Sequence, residues 1–408
     1  MNIEHEIGRR LYYSPLRNRT ARPAVRVAEA GVVISVAVMI ITLCVVVGFK
    51  QTITDKVAGF GAHIELVSFD NNNTYEYQPI IVTDSLLSVL EHIEHVQSVN
   101  TFATKPAMLK TPDTFQGIVL KGLPEGVGWT FFQENLLQGN LPEAENQILL
   151  SQVNANLLQL GLGDNVLCYF IGDQIRVRRF TISGIYDSAF SDYDRLFVLC
   201  YQSTISQLNG WDSLQVSGVE IRLDNLDNLA IAYDDIYYHV ANRLDEDGAA
   251  YYPQSLIQQH AAIFQWLDLL DMNVWVIIVI MLLVSGFNVV SGLIILILDA
   301  IPMVGVVKAL GADNRFVRRI FLYESGLLVS KGMVWGNALG LALVALQYFF
   351  HCVPLDAGVY YVSYAPVAFP WVGMLAVNLL MVVVSVVSLL APVSVATRIS
   401  PARVMHFQ

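Results

Sequence analysis

Four long apolar stretches, at 30–49, 269–298, 317–350 and 367–396, constrain the fold of this chain more than any other feature. About 20 apolar residues in a helix, rising 1.5 Å per residue, cross a hydrocarbon core of about 30 Å, so each stretch can span a bilayer. The composition agrees, because 54% of the residues are hydrophobic and only 14% are charged, whereas soluble domains carry about a quarter charged residues. The pattern predicts an α-helical membrane protein with four transmembrane helices.

The segment between the first two spans, 50–268, has the mixed composition of a soluble domain and is long enough to form its own core. Short β-like runs occupy its middle, and helical patterns lie near both of its ends. We therefore expect an α+β domain inserted between helices 1 and 2, with a β-rich insert at about 113–214. Cys168 and Cys200 lie in two of the β-like runs, and the sequence leaves open whether they are bridged.

Lysine and arginine residues predict the orientation of the chain. They are abundant before the first span and recur in and just after the 299–316 loop and in the 397–408 tail, whereas the 351–366 loop has none. They are Arg9, Arg10, Arg17, Arg19, Arg22, Arg26, Lys308, Arg315, Arg318, Arg319, Arg398 and Arg403. By the positive-inside rule, the amphipathic 1–29 segment, the 299–316 loop and the tail are cytoplasmic. The 50–268 domain and the 351–366 loop are then on the outer side, and the chain is a multi-pass membrane protein.

The inserted domain is acidic, with 10 Lys and Arg against 26 Asp and Glu in residues 51–265. This charge balance argues against nucleic acid as a partner. The chain contains no P-loop, no dinucleotide-binding glycine set and no Gly-x-Ser-x-Gly motif. The sequence EHIEH at 91–95 lacks the i, i+4 histidine pair of a zinc helix. We therefore predict a chain that is not an enzyme and binds no metal or cofactor.

Three sequence blocks resemble those of one protein family. They are RPAVR at 22–26 with GFKQTI at 48–53 and KVAGFG at 56–61, VKALGA at 307–312 with FLYE at 321–324, and ATRISPAR at 396–403. With the four-span topology, they resemble the permease subunits of lipoprotein-releasing ABC transporters, of the LolC/LolE type. These permeases belong to the wider FtsX/MacB-like superfamily.

The resemblance implies a non-catalytic permease that works as a dimer, with a second copy or a paralogue, beside two copies of a cytoplasmic ABC ATPase. ATP and magnesium would then be bound by the partner ATPase. Closure of the ATPase would be relayed mechanically to the periplasmic domains, which extract lipoproteins from the membrane and pass them to a periplasmic chaperone.

One hairpin departs from the family pattern. The chaperone-recruiting members carry a long hairpin that contains proline, whereas the matching stretch here, 167–180, is short and has none. Its returning strand carries Arg176, Arg178 and Arg179. These arginines either contact an acidic partner or form a solvated strand face.

The segment between the second and third spans is the predicted ATPase contact. Residues 299–310 are amphipathic, and Gly311 is a good helix-stop residue. We expect a short helix that lies across the membrane face and docks on the ATPase, rather than a plain juxtamembrane linker. The residues predicted to couple the two proteins are Val307, Lys308, Ala309, Leu310, Gly311 and Arg315.

Small and polar residues mark the third span. Gly332, Gly336 and Gly340 lie four apart, so they share one helix face and allow a second helix to approach closely, within the subunit or across a dimer. Glu324 and Lys331 are ionisable residues in the same span, two helical turns apart. They form a functional pair, or Lys331 packs against a helix and extends towards the interface.

The family's acyl-contacting segment corresponds to the outer end of the first span, which implies that Val46, Val47 and Phe49 line the substrate gate. Two alternatives within the superfamily are a MacB-like efflux permease and an FtsX-like signalling permease. An alternative of another class is a membrane-anchored periplasmic enzyme or sensor.

Overall fold

The computed structural model describes residues 21–71, 75–171, 175–240, 243–245 and 248–397. They divide into two compact units. The helical unit is formed by the described parts of 1–50, 266–353 and 365–408, and the sheet unit by those of 51–265 and 354–364. The expectations for Arg9, Arg10, Arg17 and Arg19, and those for Arg398 and Arg403 in the 396–403 motif, lie outside the described residues.

The helices and strands are numbered here in chain order. The helices are α1 (Ala21–Phe60), α2 (Asp84–Glu91), α3 (Thr130–Glu134), α4 (Gln152–Leu158), α5 (Ser191–Leu196), α6 (Gln202–Asn209), α7 (Leu229–Val240), α8 (Leu256–Gln259), α9 (Ala261–Ala309), α10 (Asn314–Phe350), α11 (Ala357–Tyr360) and α12 (Trp371–Thr397). The strands are β1 (Ile64–Ser68), β2 (Ile80–Ile81), β3 (Val96–Lys110), β4 (Phe115–Leu123), β5 (Leu136–Gly139), β6 (Gln147–Ser151), β7 (Asn165–Phe170), β8 (Arg176–Tyr186), β9 (Phe197–Tyr201), β10 (Gln215–Val216), β11 (Gly218–Leu223) and β12 (Tyr251–Ser255).

Four of these helices, α1, α9, α10 and α12, are long and apolar enough to cross a membrane, which confirms the four predicted apolar helices. The α+β domain follows the first of them and precedes the second, as expected. Helix α1 is longer than the predicted span. It continues through Gly48, where only glycine fits, because a Cβ atom there would lie 2.6 Å from the Val367 Cα atom.

The expected separate helix after the second span is wrong. Helix α9 runs without interruption to Ala309, so residues 299–309 continue the helix of the second span and form no separate helix. Gly305 lies within this continuous helix and does not end it. Pro302 lies inside the helix, which membrane helices tolerate because nearby groups satisfy the carbonyl that proline leaves without a donor.

The sheet unit is organised around one ten-stranded sheet. Its order is β12-β1-β11-β3-β4-β9-β6-β8-β5, with β7 paired to both β3 and β8. Since β7 joins β3 to β8, the six strands β3, β4, β9, β6, β8 and β7 pair in a closed ring. A closed ring leaves its strands without exposed pairing edges.

Two clusters of buried apolar residues lie in the described part of this unit. One lies inside the strand ring and includes Leu109, Phe170 and Phe180, and the other packs helices α2 and α7 on β1 and β11. The strand-rich part begins at Val96 of β3, earlier than the 113–214 insert predicted, and shares β3 with the rest of the sheet. An α+β body with a strand-rich extension is therefore built on one sheet.

Cys168 and Cys200 both lie in the core of the strand ring as free thiols. Burial raises the pKa of Cys168 to about 12. The bridge that the sequence left open is therefore not formed in this structure.

Candidate functional site

The glycines of the third span contact the first helix of the same chain. A Cβ atom on Gly332 would lie 2.6 Å from Val32, and one on Gly336 would lie 2.7 Å from Val36. At Gly340 the nearest atom is the Cα atom of Ala37, at 3.2 Å. Of the two possibilities that the sequence left open, the structure gives close helix packing within one subunit.

Helix α1 is also in close contact with the other two long helices. A Cβ atom on Gly31 would meet the side chain of Asn288 on α9 at 2.1 Å, and one on Gly373 of α12 would meet Leu43 at 2.9 Å. The Ala368 amide donates to the Cys44 carbonyl over 3.0 Å. The first span is therefore the central helix of its unit, and any movement of it must shift the packing of its neighbours.

The predicted coupling residues lie at the end of α9 and the start of α10. The Gly311 amide donates to the Lys308 carbonyl over 3.0 Å, and the Ala312 amide donates to the Val307 carbonyl over 3.1 Å. Gly311 has a φ of +95°. These features form a Schellman motif, in which the amides that follow the helix donate to its last carbonyls and glycine adopts the positive φ. The Asp313 side chain then caps the start of α10.

This four-residue turn presents an apolar tip between basic side chains. The side chain of Leu310 is 84% exposed, Ala309 and Arg315 are also exposed, and Val307 and Lys308 are partly buried. A single exposed apolar residue is common on protein surfaces. The coupling role of this turn therefore stays a prediction.

The ionisable residues of the third span differ in burial. Glu324 is fully buried and Lys331 is partly buried on the same helix. Further along, the amide groups of Asn337 and Asn378 donate to each other over 2.8 and 3.0 Å, which joins α10 to α12. The sequence analysis missed this amide pair, although a polar residue in each of two apolar spans was a visible signal. A functional role for Glu324 and Lys331 stays a prediction.

The predicted gate residues lie at the end of the first span that contains Lys50. Val46 and Val47 are partly buried, whereas Phe49 is buried and packs edge-on against Trp266, with ring centres 5.6 Å apart. Beside them, the Lys50 ammonium group lies 2.5 Å from the Asp271 carboxylate. Phe49 thus packs inside its own subunit, and the contact of this segment with substrate stays a prediction.

The sheet unit contains a buried ionic cluster that the sequence did not indicate. Glu65 of β1 lies directly opposite Glu220 of β11, and Lys121 of β4 forms an ion pair with Glu220. The Lys121 ammonium group also donates to the Phe60 carbonyl at the end of α1, and Gln259 donates to Glu65 over 2.8 Å. Burial raises the pKa of Glu65 to about 6, against the opposing effect of Lys121.

The arrangement of long apolar helices, with one α+β domain inserted after the first, defines a polytopic membrane protein with a large extramembrane domain. Two family descriptions match it: the MacB-like periplasmic core domain over residues 28–236 and the FtsX-like permease C-terminal domain over residues 275–401. The chain belongs to this family and is an ABC transporter permease of the FtsX/MacB type.

Similar proteins extend the comparison along the whole chain. The lipoprotein-releasing system transmembrane protein LolC of Xylella fastidiosa (strain 9a5c) is 23% identical over 399 residues, covering 93% of this chain and 92% of that protein. LolE of Haemophilus influenzae is 21% identical and covers 99% of both chains. The crystal structure of the periplasmic region of MacB from Actinobacillus actinomycetemcomitans covers 52% of this chain and 95% of that one, with 14% identity and a TM-score of 0.34.

Proposed function

We propose that this chain is the permease subunit of an ABC transporter that extracts lipoproteins from the bacterial inner membrane. The observation that carries the proposal is the similarity to LolC and LolE, which runs through both the helical unit and the sheet unit. A similarity confined to one unit would support only a shared architecture, because the superfamily uses related domains for different tasks.

ATP hydrolysis belongs to a separate cytoplasmic ATPase that docks on the α9–α10 turn. Support comes from the exposed Leu310 side chain at the tip of that turn, beside the basic residues Lys308 and Arg315. An apolar tip with a basic rim suits a groove with acidic edges on a soluble protein. In this proposal the permease binds no cofactor, and ATP and magnesium are bound by the ATPase.

The force generated by ATP binding is relayed to the sheet unit, which is periplasmic, while both termini are cytoplasmic. The chain passes between the units inside continuous helices at residues 50–51 and 265–266. A continuous helix transmits displacement along its axis better than a flexible linker does. The working assembly contains a second permease copy or a paralogue, and released lipoproteins pass to a periplasmic chaperone.

Depletion of the protein from its bacterium tests this function. Lipoproteins are followed by labelling and membrane fractionation, and we expect those destined for the outer membrane to accumulate in the inner membrane. Unchanged sorting with altered drug sensitivity would favour MacB-like efflux, and unchanged sorting with altered division would favour FtsX-like signalling. Unchanged sorting together with purification without any ATPase would favour a membrane-anchored enzyme or sensor.

A further inference from the structure

The short loop between the third and fourth spans has a well-defined base. Gln347 of α10 accepts a hydrogen bond from the Val353 amide over 3.0 Å and donates to the Ala365 carbonyl over 2.9 Å. The Ala365 amide donates to the Val353 carbonyl over 3.0 Å. Further along, the Leu355 amide donates to the Ser363 carbonyl, also over 3.0 Å. These bonds hold the two ends of the loop together.

Residues 354–364 belong to the sheet unit and contact the start of α5. The Tyr361 hydroxyl donates to the Asp192 carboxylate over 3.1 Å, and the Ser191 hydroxyl donates to the Ala357 carbonyl over 3.3 Å. The ring of Tyr361 stands edge-on to Phe190, with centres 4.8 Å apart. Phe190 is fully buried and packs against the rings of Phe60 and Tyr193, so the loop is attached to a buried group of aromatic side chains.

Lys56 of α1 connects the same two segments. Its ammonium group donates to the Ser188 carbonyl over 2.6 Å and to the Tyr361 carbonyl over 3.0 Å. The carboxylates of Asp194 and Asp187 lie within electrostatic reach of it. One side chain therefore joins the first helix, the 187–196 segment and the 354–364 loop.

From these contacts we infer that the 354–364 loop is a coupling element, and that Lys56 is the positioning residue that connects it to the first helix and to the 187–196 segment. The loop is continuous in sequence with the third span, which begins at the predicted ATPase contact, and with the fourth span. It therefore gives the sheet unit a further connection for mechanical force, in addition to the two helices α1 and α9. The inference rests on the proposed function, since a relay requires an ATPase that drives it.

Hydrogen exchange on the full chain, assembled with its ATPase in nanodiscs, tests the inference without any lipoprotein. We expect ATP to change exchange in the 187–196 segment of the wild-type protein. In Lys56→Met, the ATP-induced change in exchange of this segment should be about tenfold smaller than in the wild-type protein. Tenfold is a usual scale for coupling between two sites. It should be retained in Lys56→Arg, which keeps a cationic donor, and in the control Lys110→Met, which alters an exposed lysine of the same unit.

A disulfide lock separates coupling from folding. In a Cys352→Ser background, which removes the exposed cysteine, Ser191→Cys and Ala357→Cys place two thiols across the contact between the loop and α5. When oxidised, this pair should restore the response of Lys56→Met to ATP, and reduction should abolish it again. Any one of three results would overturn the inference. Reduced Lys56→Met could respond to ATP as the wild-type protein does, the wild-type protein itself could show no response, or the lock could fail to restore the response. Absence of lipoprotein release from an assembly that keeps this response would instead contradict only the proposed function.

Discussion

The helical unit and the sheet unit hold their elements together in different ways. In the helical unit, helices approach closely at glycine, so that Gly332 and Gly336 of α10 accommodate Val32 and Val36 of α1. In the sheet unit, an ion pair between Lys121 and Glu220 is buried beneath the end of α1. Lipid gives helices no hydrophobic reason to associate, so close van der Waals packing has to supply the contact. A water-soluble domain can bury charges, provided that each of them is paired.

This difference predicts that the largest effect of a single substitution is in the sheet unit. Lys121→Met should lower the free energy of unfolding by about 3–5 kcal/mol, because it leaves Glu220 and Glu65 buried without their cation. Thermal unfolding of the full chain in detergent measures this loss. Lys110→Met is the matched control, since Lys110 is exposed. An equal and small effect of both substitutions would mean that the buried pair is not needed.

The corresponding test in the helical unit uses two glycines of one helix. Gly336→Leu should destabilise the packing of α10 on α1 by about 1–3 kcal/mol, because its Cβ atom would overlap Val36. Gly326→Leu should be nearly neutral, because no heavy atom beyond its chain neighbours and the adjacent backbone of its own helix lies within 4 Å of its Cβ position. Resistance to unfolding by a denaturing detergent distinguishes them. If the two variants behaved alike, the glycine contact with the first helix would be wrong.

A third test compares exposed leucines in the two units. Leu310→Asp should weaken association with the ATPase about tenfold, the usual scale for an apolar anchor at an interface. Leu137→Asp alters a leucine that is 55% exposed in the sheet unit, and it should leave association unchanged. Co-purification of the ATPase with each variant gives the result. Equal retention of the ATPase by both would remove the docking role of the turn.

The smallest predicted effect is a pH dependence in the sheet unit. Burial raises the pKa of Asp194 from 3.8 to about 7, with its Ser188 hydrogen bond and the neighbouring Asp187 as lesser influences. The native state therefore favours the protonated carboxyl group, and this stabilisation is lost as the pH rises through about 7. Asp194→Asn should thus gain stability relative to the wild-type protein between pH 6 and pH 8.5, by about 1 kcal/mol, since about one pKa unit lies between pH 6 and the folded pKa.

Melting temperatures at the two pH values measure this gain, and Asp113→Asn, at an exposed hairpin residue, is the control. Lys56 opposes the expected trend, because its attraction to Asp194 increases when the carboxyl group ionises. A variant that loses stability relative to the wild-type protein at high pH would mean that this attraction outweighs the cost of burial.

Features that depend on nearby residues could be predicted from the sequence. The four apolar helices followed from the lengths of the apolar runs, and the end of α9 followed from Gly311, whose positive φ closes the helix. The continuity of α9 beyond Asp299 was missed because an amphipathic stretch has the same pattern whether it bends or stays straight.

Features that depend on distant residues could not be predicted. Lys121 and Glu220 are 99 residues apart, and Lys56 is 305 residues from Tyr361. No periodicity links such positions, because only the pairing of the strands and the packing of the loop bring them together. The glycine spacing at 332–340 predicted a close approach but not its partner, since the same face could meet another subunit.

The central claim is that this permease converts ATP hydrolysis by a partner into lipoprotein release. Its most direct test is a proteoliposome that contains the full chain, its ATPase and a labelled lipoprotein, with a soluble acceptor chaperone outside. We predict that ATP, but not ADP, transfers the label to the soluble fraction. Steady ATP hydrolysis while the label remains in the membrane would contradict the claim.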